Sequence, residues 1–164
     1  MPHLQRCLAL ALSLLLAACA SGPTFETAGV ERTLTPVGVS AAPQTASGRT
    51  VLWGGVILNT TNLDDSTRIE VLAYPLDSSE WPQQERDPLG RFILVQSGYL
   101  EPASYAEGRL VTATGTITGN MTGRVGASDY TYPVISARQL YLWPRERARD
   151  RTRVIFGLGV GIGL

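Results

Sequence analysis

The sequence predicts a mainly β fold in one domain, and three observations support this class. The chain has 164 residues, the size of one compact domain. Hydrophobic residues make up 44% of it and charged residues 17%, a balance typical of a folded protein. Residues 49–144 contain several short apolar or alternating runs separated by turn formers, with no strong amphipathic helix. Short strands joined by turns are therefore expected.

Residues 1–18 are predicted to be a lipoprotein signal peptide. A short start with one arginine, Arg6, precedes a Leu- and Ala-rich run from Cys7 to Ala17. As a helix this run would cover only about 16 Å, roughly half of a bilayer core. It ends in Leu16-Ala17-Ala18-Cys19, which resembles the lipobox of bacterial lipoproteins. The alternative is an ordinary signal peptide cut after Ala18.

The lipobox resemblance implies that the mature chain starts at Cys19, with a diacylglycerol on its sulfur and an acyl group on its amine. Each buried CH₂ contributes about 0.8 kcal/mol, so several acyl chains make a stable membrane anchor. Ala20 stands where lipoproteins retained in the inner membrane of enterobacteria usually carry Asp. We therefore expect the outer membrane, and its periplasmic face rather than the cell surface.

Residues 19–48 form the predicted lipidated N-terminus and flexible tether. Ser, Gly, Thr, Pro and Ala are in excess here, and no periodic apolar pattern is visible. The folded domain is expected to begin at Arg49.

Residues 49–144 are predicted to be the β domain. The second run is the clearest, because Arg68 and Glu70 alternate with Ile69 and Val71, as in a sheet with one buried face. Gly54-Gly55 in the first run indicates a bulge or a close backbone approach. A small five- to six-stranded OB-like Greek-key barrel is the preferred fold, with a sandwich as the alternative. The predicted strands are Arg49–Asn59, Thr67–Tyr74, Phe92–Gln96, Leu110–Thr118, Tyr132–Ile135 and Gln139–Trp143, and Gly119–Asp129 is predicted to be a hairpin connection.

Most catalytic chemistry is excluded for the mature chain. His3, the single histidine, and Cys7 leave with the signal peptide, Cys19 is acylated, and there is no lysine. Triads that need His, Cys or Lys and zinc sites that need His are therefore ruled out. We predict that the protein is not an enzyme and holds no metal or cofactor.

Carboxylates are the chemistry that remains. Asp64-Asp65 could belong to a calcium site or an acid/base pair, but a solvated turn is the simpler interpretation. Glu80, Glu85 and Asp87 lie in a polar loop with the same interpretation. The alternative function is thus a carboxylate-dependent hydrolase of envelope glycans, which needs two carboxyl groups about 5 to 10 Å apart.

Charge and location argue against nucleic acid as a partner. All 14 basic residues are arginine, and without Arg6 the mature chain has 13 of them against 14 acidic residues, a net charge of −1. A nearly neutral chain lacks the general electrostatic signature of nucleic-acid binding. The expected partners are the membrane, through the lipid anchor, and an unidentified envelope protein or surface.

Several sequence blocks follow one another through the predicted β domain: Trp53–Ile57, Thr67–Val71 with Tyr74–Leu76, Gly90–Phe92, Gly108–Arg109 with Val111 and Gly115–Thr116, Tyr130–Val134, and Tyr141–Pro144. In this order they resemble the Slp family of starvation-inducible outer-membrane lipoproteins. This resemblance implies an outer-membrane lipoprotein connected with starvation or stress, and it brings no agreed catalytic residue or ligand. We expect the aromatic residues of the blocks to pack in the barrel core and rim rather than to form a ligand site.

Residues 145–164 form an Arg-rich segment followed by a glycine and apolar tail. Five arginines fall within Arg145–Arg153, and glycine then alternates with apolar residues from Phe156 to Leu164. Such a basic stretch could rest on an anionic lipid surface, and a frayed tail or an oligomer contact is the alternative. No part of the family resemblance extends into this segment.

Overall fold

The computed structural model of the protein describes residues 22–145, and their fold is mainly β. The lipobox residues Leu16, Ala17, Ala18 and Cys19 lie outside the described residues, as do residues 146–164. The elements are helix α1 (Pro36–Ala41), a 3-10 turn (Pro43–Thr45), and strands β1 (Thr50–Asn62), β2 (Ser66–Tyr74), β3 (Gly90–Ser97), β4 (Leu110–Val125) and β5 (Ser128–Leu142).

The five strands form one sheet that closes into a barrel in the order β1-β2-β3-β5-β4. Four neighbouring pairs are antiparallel, and β3 pairs with β5 in parallel through Ile93–Val134 and the two following residue pairs. A closed five-stranded sheet with this crossover is an OB-like Greek-key barrel. The predicted fold class is confirmed, and the sandwich alternative is wrong because there is a single sheet.

The hairpin between β4 and β5 is longer than the sequence indicates. Residues 119–125 continue β4, and β5 starts at Ser128, so the turn itself is Gly126-Ala127. Gly126 has a φ of 61°, which favours glycine. The hairpin predicted at Gly119–Asp129 is present, but most of this segment is strand rather than connection, because its Gly, Thr, Asn and Arg residues pair with the aromatic arm of β5.

Gly55 marks a close approach of two backbones. Pairing of β1 with β2 is continuous through Gly54 and Gly55, and the register shifts later, between Ile57 and Asn59. A Cβ atom at Gly55 would overlap the backbone carbonyl of Leu72 on β2. Of the two interpretations of this glycine pair, the close approach is therefore correct.

The barrel interior is apolar, as predicted from the strand alternation. Ile57, Val71 and Ile117 are each no more than 1% exposed. The rings of Trp53 and Phe92 meet edge to face, 5.2 Å apart. All four aromatic residues predicted to pack in the domain are buried: Trp53, Phe92, Tyr132 and Trp143.

Residues 22–49 form a strap that packs on the barrel, which differs from the flexible tether expected for residues 19–48. Val39 in α1 and Ala46 are 1% exposed and belong to the core. The indole of Trp53 donates to the Leu34 carbonyl (2.7 Å), and Gly48 N donates to the Ile117 carbonyl (2.8 Å). Apolar residues this far apart in sequence show no periodicity, but α1 packs on β3 and β5.

Candidate functional site

The lipid attachment site predicted from the sequence, Cys19, lies outside the described residues. Gly22 is the first described residue, and it lines a hollow with Ser78, Ser79 and Glu80. The described chain therefore begins beside the loop between β2 and β3, residues 75–89.

This loop folds back over the outer surface of β4. The Asp77 carboxylate accepts hydrogen bonds from Ser79 N (2.8 Å) and Trp81 N (3.0 Å), which closes a tight turn. Glu80 has a φ of 62°, and its carbonyl accepts from the Thr112 hydroxyl on β4 (2.8 Å). These contacts fix the tip of the loop against the barrel.

The Glu80 side chain also joins this loop to the strap. Its carboxylate accepts from both terminal nitrogens of Arg32, at 2.7 and 3.3 Å. The hydrogen bond and charge of Glu80 raise the pKa of the Arg32 guanidinium despite its partial burial. Glu80 was predicted to lie in a solvated polar loop, whereas its half-buried side chain forms an ion pair with Arg32.

An aromatic cluster lies where β5 ends, next to the same loop. Trp143 contacts Trp81 and Tyr141, with ring centroids 4.7 Å apart in each case. Its indole donates to the Thr112 hydroxyl (2.9 Å). Trp81 and Tyr141 are half-buried. The role of Trp81 was missed in the sequence, where the only signal was a tryptophan among polar turn residues.

A polar cluster joins β2, β3 and β5. Glu70 accepts hydrogen bonds from Arg91 (2.8 Å) and from the Tyr132 hydroxyl (3.1 Å). The Tyr130 hydroxyl accepts from Arg91 N (2.9 Å), and the two tyrosine rings meet edge to face. The cluster attaches the hairpin to the barrel.

The electrostatics of this cluster raise the pKa of both Arg91 and Tyr132. Burial and the nearby Glu70 charge raise the pKa of Tyr132, so the phenol stays neutral. Burial alone would lower the pKa of Arg91, but Glu70 reverses this effect and the net shift is upward. The Glu70 carboxylate accepts from both the Arg91 guanidinium and the Tyr132 hydroxyl, which ties β2 to β3 and β5.

The acidic residues singled out in the sequence do not form one site. Asp64 and Asp65 are exposed in the turn between β1 and β2, as predicted, and Glu85 and Asp87 are exposed in the β2–β3 loop. Within residues 22–145, no group of three or more acidic, His or Cys side chains is placed to hold a metal ion. These acidic residues therefore lie in two different loops, and Glu80 is paired with Arg32.

A small pocket lies between the strap and the barrel. It measures about 250 Å³ and is lined mainly by apolar side chains, including Leu34, Leu52, Trp53 and Leu89, with Arg32 at its edge. Pockets that enclose small molecules usually measure about 300 to 1,000 Å³.

No helix in residues 22–145 is long and apolar enough to cross a membrane.

Solved structures with a similar backbone include two proteins that bind single-stranded DNA. The small single-stranded DNA-binding protein of Streptomyces coelicolor aligns with 58% of this chain and 94% of its own, at 13% identity and a TM-score of 0.37. The Schizosaccharomyces pombe Pot1pC structure aligns with 77% and 91%, at 12% identity and a TM-score of 0.32. At such TM-scores we draw no conclusion from either likeness.

Comparison with curated proteins identifies relatives of higher sequence identity. The chain is 30% identical to the outer membrane protein Slp of Escherichia coli K12 over 156 residues, 94% of this chain and 82% of the relative. It is 38% identical to an uncharacterised Haemophilus influenzae protein over 113 residues, 68% of this chain and 61% of that protein. The uncharacterised lipoprotein YeaY of E. coli K12 is 33% identical over 107 residues, 65% of this chain and 55% of its own length.

The family comparison covers the lipobox as well as the barrel. Residues 16–157 match the Outer membrane lipoprotein Slp family, from the first lipobox residue, Leu16, to a point beyond the Arg-rich segment. The resemblance seen in the sequence blocks is confirmed, and the match extends further towards the C-terminus than those blocks do. The chain belongs to the Outer membrane lipoprotein Slp family.

Proposed function

We propose that this protein is a lipoprotein of the outer membrane, held at the periplasmic face by acyl chains on Cys19, and that its barrel is a non-enzymatic module of the envelope. The observation that carries the proposal is the family match, which begins at Leu16 and so includes Leu16-Ala17-Ala18-Cys19. The relatives named as an outer membrane protein and a lipoprotein support the same location.

Two features of the described residues support a non-enzymatic role. Residues 22–145 contain no His, Lys or Cys, so common nucleophiles and bases are missing from this part of the chain. Glu70 and Glu80 are each bound to an arginine and serve to hold the hairpin and the loop. These features fit a module that binds an envelope protein or surface. The starvation or stress role rests on the family resemblance.

The anchor is tested by the substitution Cys19→Ser. A hydroxyl is a much poorer nucleophile than a thiolate, so the variant should accumulate as uncleaved precursor without acyl mass. Cys7→Ser is the matched control, because this cysteine lies in the signal peptide and its loss should leave processing normal. Mass spectrometry of the N-terminus decides the matter, and an unmodified terminus at Cys19 or Ala20 in the wild-type protein would contradict the anchor.

The non-enzymatic role is tested on the same preparations. The purified mature protein should show no hydrolytic turnover of peptidoglycan or ester substrates. Turnover that is abolished by Glu70→Gln would favour the carboxylate-dependent hydrolase instead. Deletion of the gene should alter survival under starvation or acid stress, and Cys19→Ser should fail to complement it. Full complementation by an unlipidated protein would contradict the surface-module proposal.

A further inference from the structure

Two of the three large apolar side chains that the described part of the chain exposes lie at one end of the barrel. Leu63, in the turn between β1 and β2, is 44% exposed, and Tyr99, in the loop after β3, is 67% exposed. The two segments lie side by side, because Gly98 N donates to the Asp65 carbonyl (2.9 Å). We call this surface, made of residues 63–65 and 97–101, the Leu63–Tyr99 patch.

The backbone that presents Tyr99 is held in place by buried polar contacts. The hydroxyl of Thr67 on β2 is fully buried, donates to the Asn62 side chain, and accepts from Leu100 N (2.9 Å). The Asn62 amide in turn donates to the Leu100 carbonyl (3.1 Å). The Leu100 side chain packs against the core, whereas that of the preceding Tyr99 is exposed. A partner would therefore meet an aromatic ring on an ordered backbone, which lowers the entropy lost on binding.

Negative charge is concentrated at this end of the barrel. Residues 59–67 and 97–108 contain four acidic residues and no arginine, a net charge of −4. The remaining residues of 22–145 contain nine arginines and eight acidic residues, a net charge of +1. Even when the two bordering arginines, Arg68 and Arg109, are added to the acidic segments, the net charge there is −2. The four acidic residues are Asp64, Asp65, Glu101 and Glu107.

This combination of an apolar centre and an acidic rim limits what can cover the patch. Protein interfaces commonly place aromatic and aliphatic side chains at the centre and polar groups around them. The same patch of a second copy, an anionic lipid surface and a nucleic acid would all be repelled by the acidic rim. A small cation would satisfy the carboxylates but would leave Leu63 and Tyr99 in water.

We infer that the Leu63–Tyr99 patch binds a positively charged segment of a partner protein. An apolar side chain of that segment packs on Leu63 and Tyr99, and its Lys or Arg side chains pair with Asp64, Asp65 and Glu101 at the rim. The inference rests on the proposed function, a module that binds an envelope component, and adds the chemistry of that component.

The patch is separate from the place where the described chain begins. It adjoins the first residue of β2, Ser66, whereas Gly22 lies beside Ser78–Glu80, in the loop that follows the last residue, Tyr74. A strand rises about 3.3 Å per residue, so the two ends of β2 are about 26 Å apart. The incoming chain therefore leaves the patch open to a partner.

The first test is fluorescence anisotropy with an unlipidated chain of residues 20–164, which includes every described residue, so that the result does not depend on acylation. The probes are three labelled ten-residue peptides. One contains five lysines and two leucines, the second has serine in place of the leucines, and the third has glutamate in place of the lysines. The first peptide should bind more tightly than the second, with an affinity that falls as salt is raised, and the third should not bind.

Variants of the apolar centre show whether the peptide occupies the patch. Leu63→Ser with Tyr99→Ser should weaken binding of the first peptide about tenfold or more, the effect expected for a central aromatic and aliphatic pair. Val37→Ser is the matched control, because Val37 on α1 is the third exposed apolar side chain (56% exposed) and should change binding less than about twofold.

Variants of the rim test the role of charge. Asp64→Asn with Asp65→Asn should weaken binding about threefold to tenfold and make it less sensitive to salt. Glu85→Gln with Asp87→Asn removes the same charge from exposed positions in the β2–β3 loop and should change binding less than about twofold. Equal losses in these two double variants would mean that only total charge matters and would overturn the inference. Failure of the first peptide to bind at millimolar concentration would also overturn it.

The second test identifies the occupant in cells. A photo-crosslinking amino acid is placed at Tyr99 of the full-length protein, and at Thr118, an exposed position on β4, as the control. Mass spectrometry of the crosslinked peptide should show a basic segment with an apolar residue, from another protein, at position 99 only. A crosslink mainly to lipid or to a second copy of this chain would overturn the inference. Failure of the lipid anchor would appear instead in the mass of the N-terminus, and would leave peptide binding by the unlipidated chain unchanged.

Discussion

Truncation of Ile117 is the most direct test of the barrel core. The side chain is 1% exposed, pairs with Ile135 across the β4–β5 ladder, and belongs to the main apolar cluster. Ile117→Ala removes three carbon groups, which at about 0.8 kcal/mol each is about 2.4 kcal/mol of lost transfer free energy. The cavity adds about 24 cal/mol per Å³ that does not collapse, so the total loss in the free energy of unfolding should be about 2 to 5 kcal/mol.

The position of Ile117 makes collapse of that cavity difficult. Its backbone N donates to the Arg49 carbonyl (2.9 Å) and its carbonyl accepts from Gly48 N (2.8 Å), so the strap holds this part of β4 in place. We therefore expect the loss in the free energy of unfolding to lie in the upper part of the range of about 2 to 5 kcal/mol. If β4 could shift towards the cavity, the loss would be smaller.

Urea unfolding followed by tryptophan fluorescence measures the loss as a change in midpoint at an unchanged slope. Ile117→Val should cost about 0.5 to 1.5 kcal/mol. Thr118→Ala, at the neighbouring exposed position, should stay within about 0.5 kcal/mol. A loss below about 0.5 kcal/mol for Ile117→Ala would show that this side chain does not face the core, and the assignment of inward and outward faces on β4 would be wrong.

Two further substitutions test the contacts between strands. Gly55→Ala places a methyl group against the Leu72 carbonyl, a backbone group that cannot rotate away, and should lower the free energy of unfolding by about 1 to 3 kcal/mol or more. Gly22→Ala is the control in the same urea assay, because its methyl group meets open space and should have little effect. Tyr132→Phe removes the hydrogen bond to Glu70 and should cost about 1 to 3 kcal/mol at neutral pH. Folding raises the pKa of Tyr132, so this phenol contributes fully to the free energy of unfolding below the ordinary tyrosine pKa. The contribution is lost as the pH rises through the pKa of Tyr132 in the folded protein. The free energy of unfolding of the wild-type protein should therefore fall more steeply than that of Tyr132→Phe in alkaline solution. The same loss in both proteins would contradict the Tyr132 assignment.

The strands that the sequence predicted well are those whose burial alternates. In β2 the residues from Ser66 to Tyr74 alternate strictly between buried and half-buried, and the pattern of Arg68, Ile69, Glu70 and Val71 is visible in the letters alone. The start of β1 was harder to assign, since the buried run from Val51 to Gly55 has no alternation. Its length and its flanking turn formers still indicated a strand.

The strap and the distal hairpin could not be predicted, because their order comes from distant contacts. The Ser40 hydroxyl donates to the Thr131 carbonyl (2.7 Å), across 91 positions of sequence. Gly123 leaves room for the Tyr132 ring across the hairpin, where a Cβ atom would come within 2.9 Å of it. Locally these segments are rich in turn formers and small residues, and their scattered apolar residues show no period, so composition predicts a tether and a loop.

The candidate site also has one part that a local sequence pattern predicts and another that depends on contacts between distant residues. The lipobox is a contiguous motif whose chemistry needs a thiol at one position, so Cys19 could be proposed from the sequence alone. The aromatic cluster, in contrast, joins Trp81 to Trp143, 62 positions later, through a loop whose conformation depends on Asp77 and Thr112. No local pattern in either segment indicates the other.

The strap sets how far from the membrane the proposed module can act. A flexible tether of thirty residues would let the barrel sample a wide region of the periplasm, at roughly 5 to 6 Å times the square root of its length. Here Val39 and Ala46 are buried in the core, and only the stretch from Cys19 to Gly22 remains, at most about 11 Å. A domain of this size is about 35 Å across. For the proposed acylated form, a partner that binds the barrel would therefore contact it within about 46 Å of the lipid surface, the tether and the barrel diameter taken together.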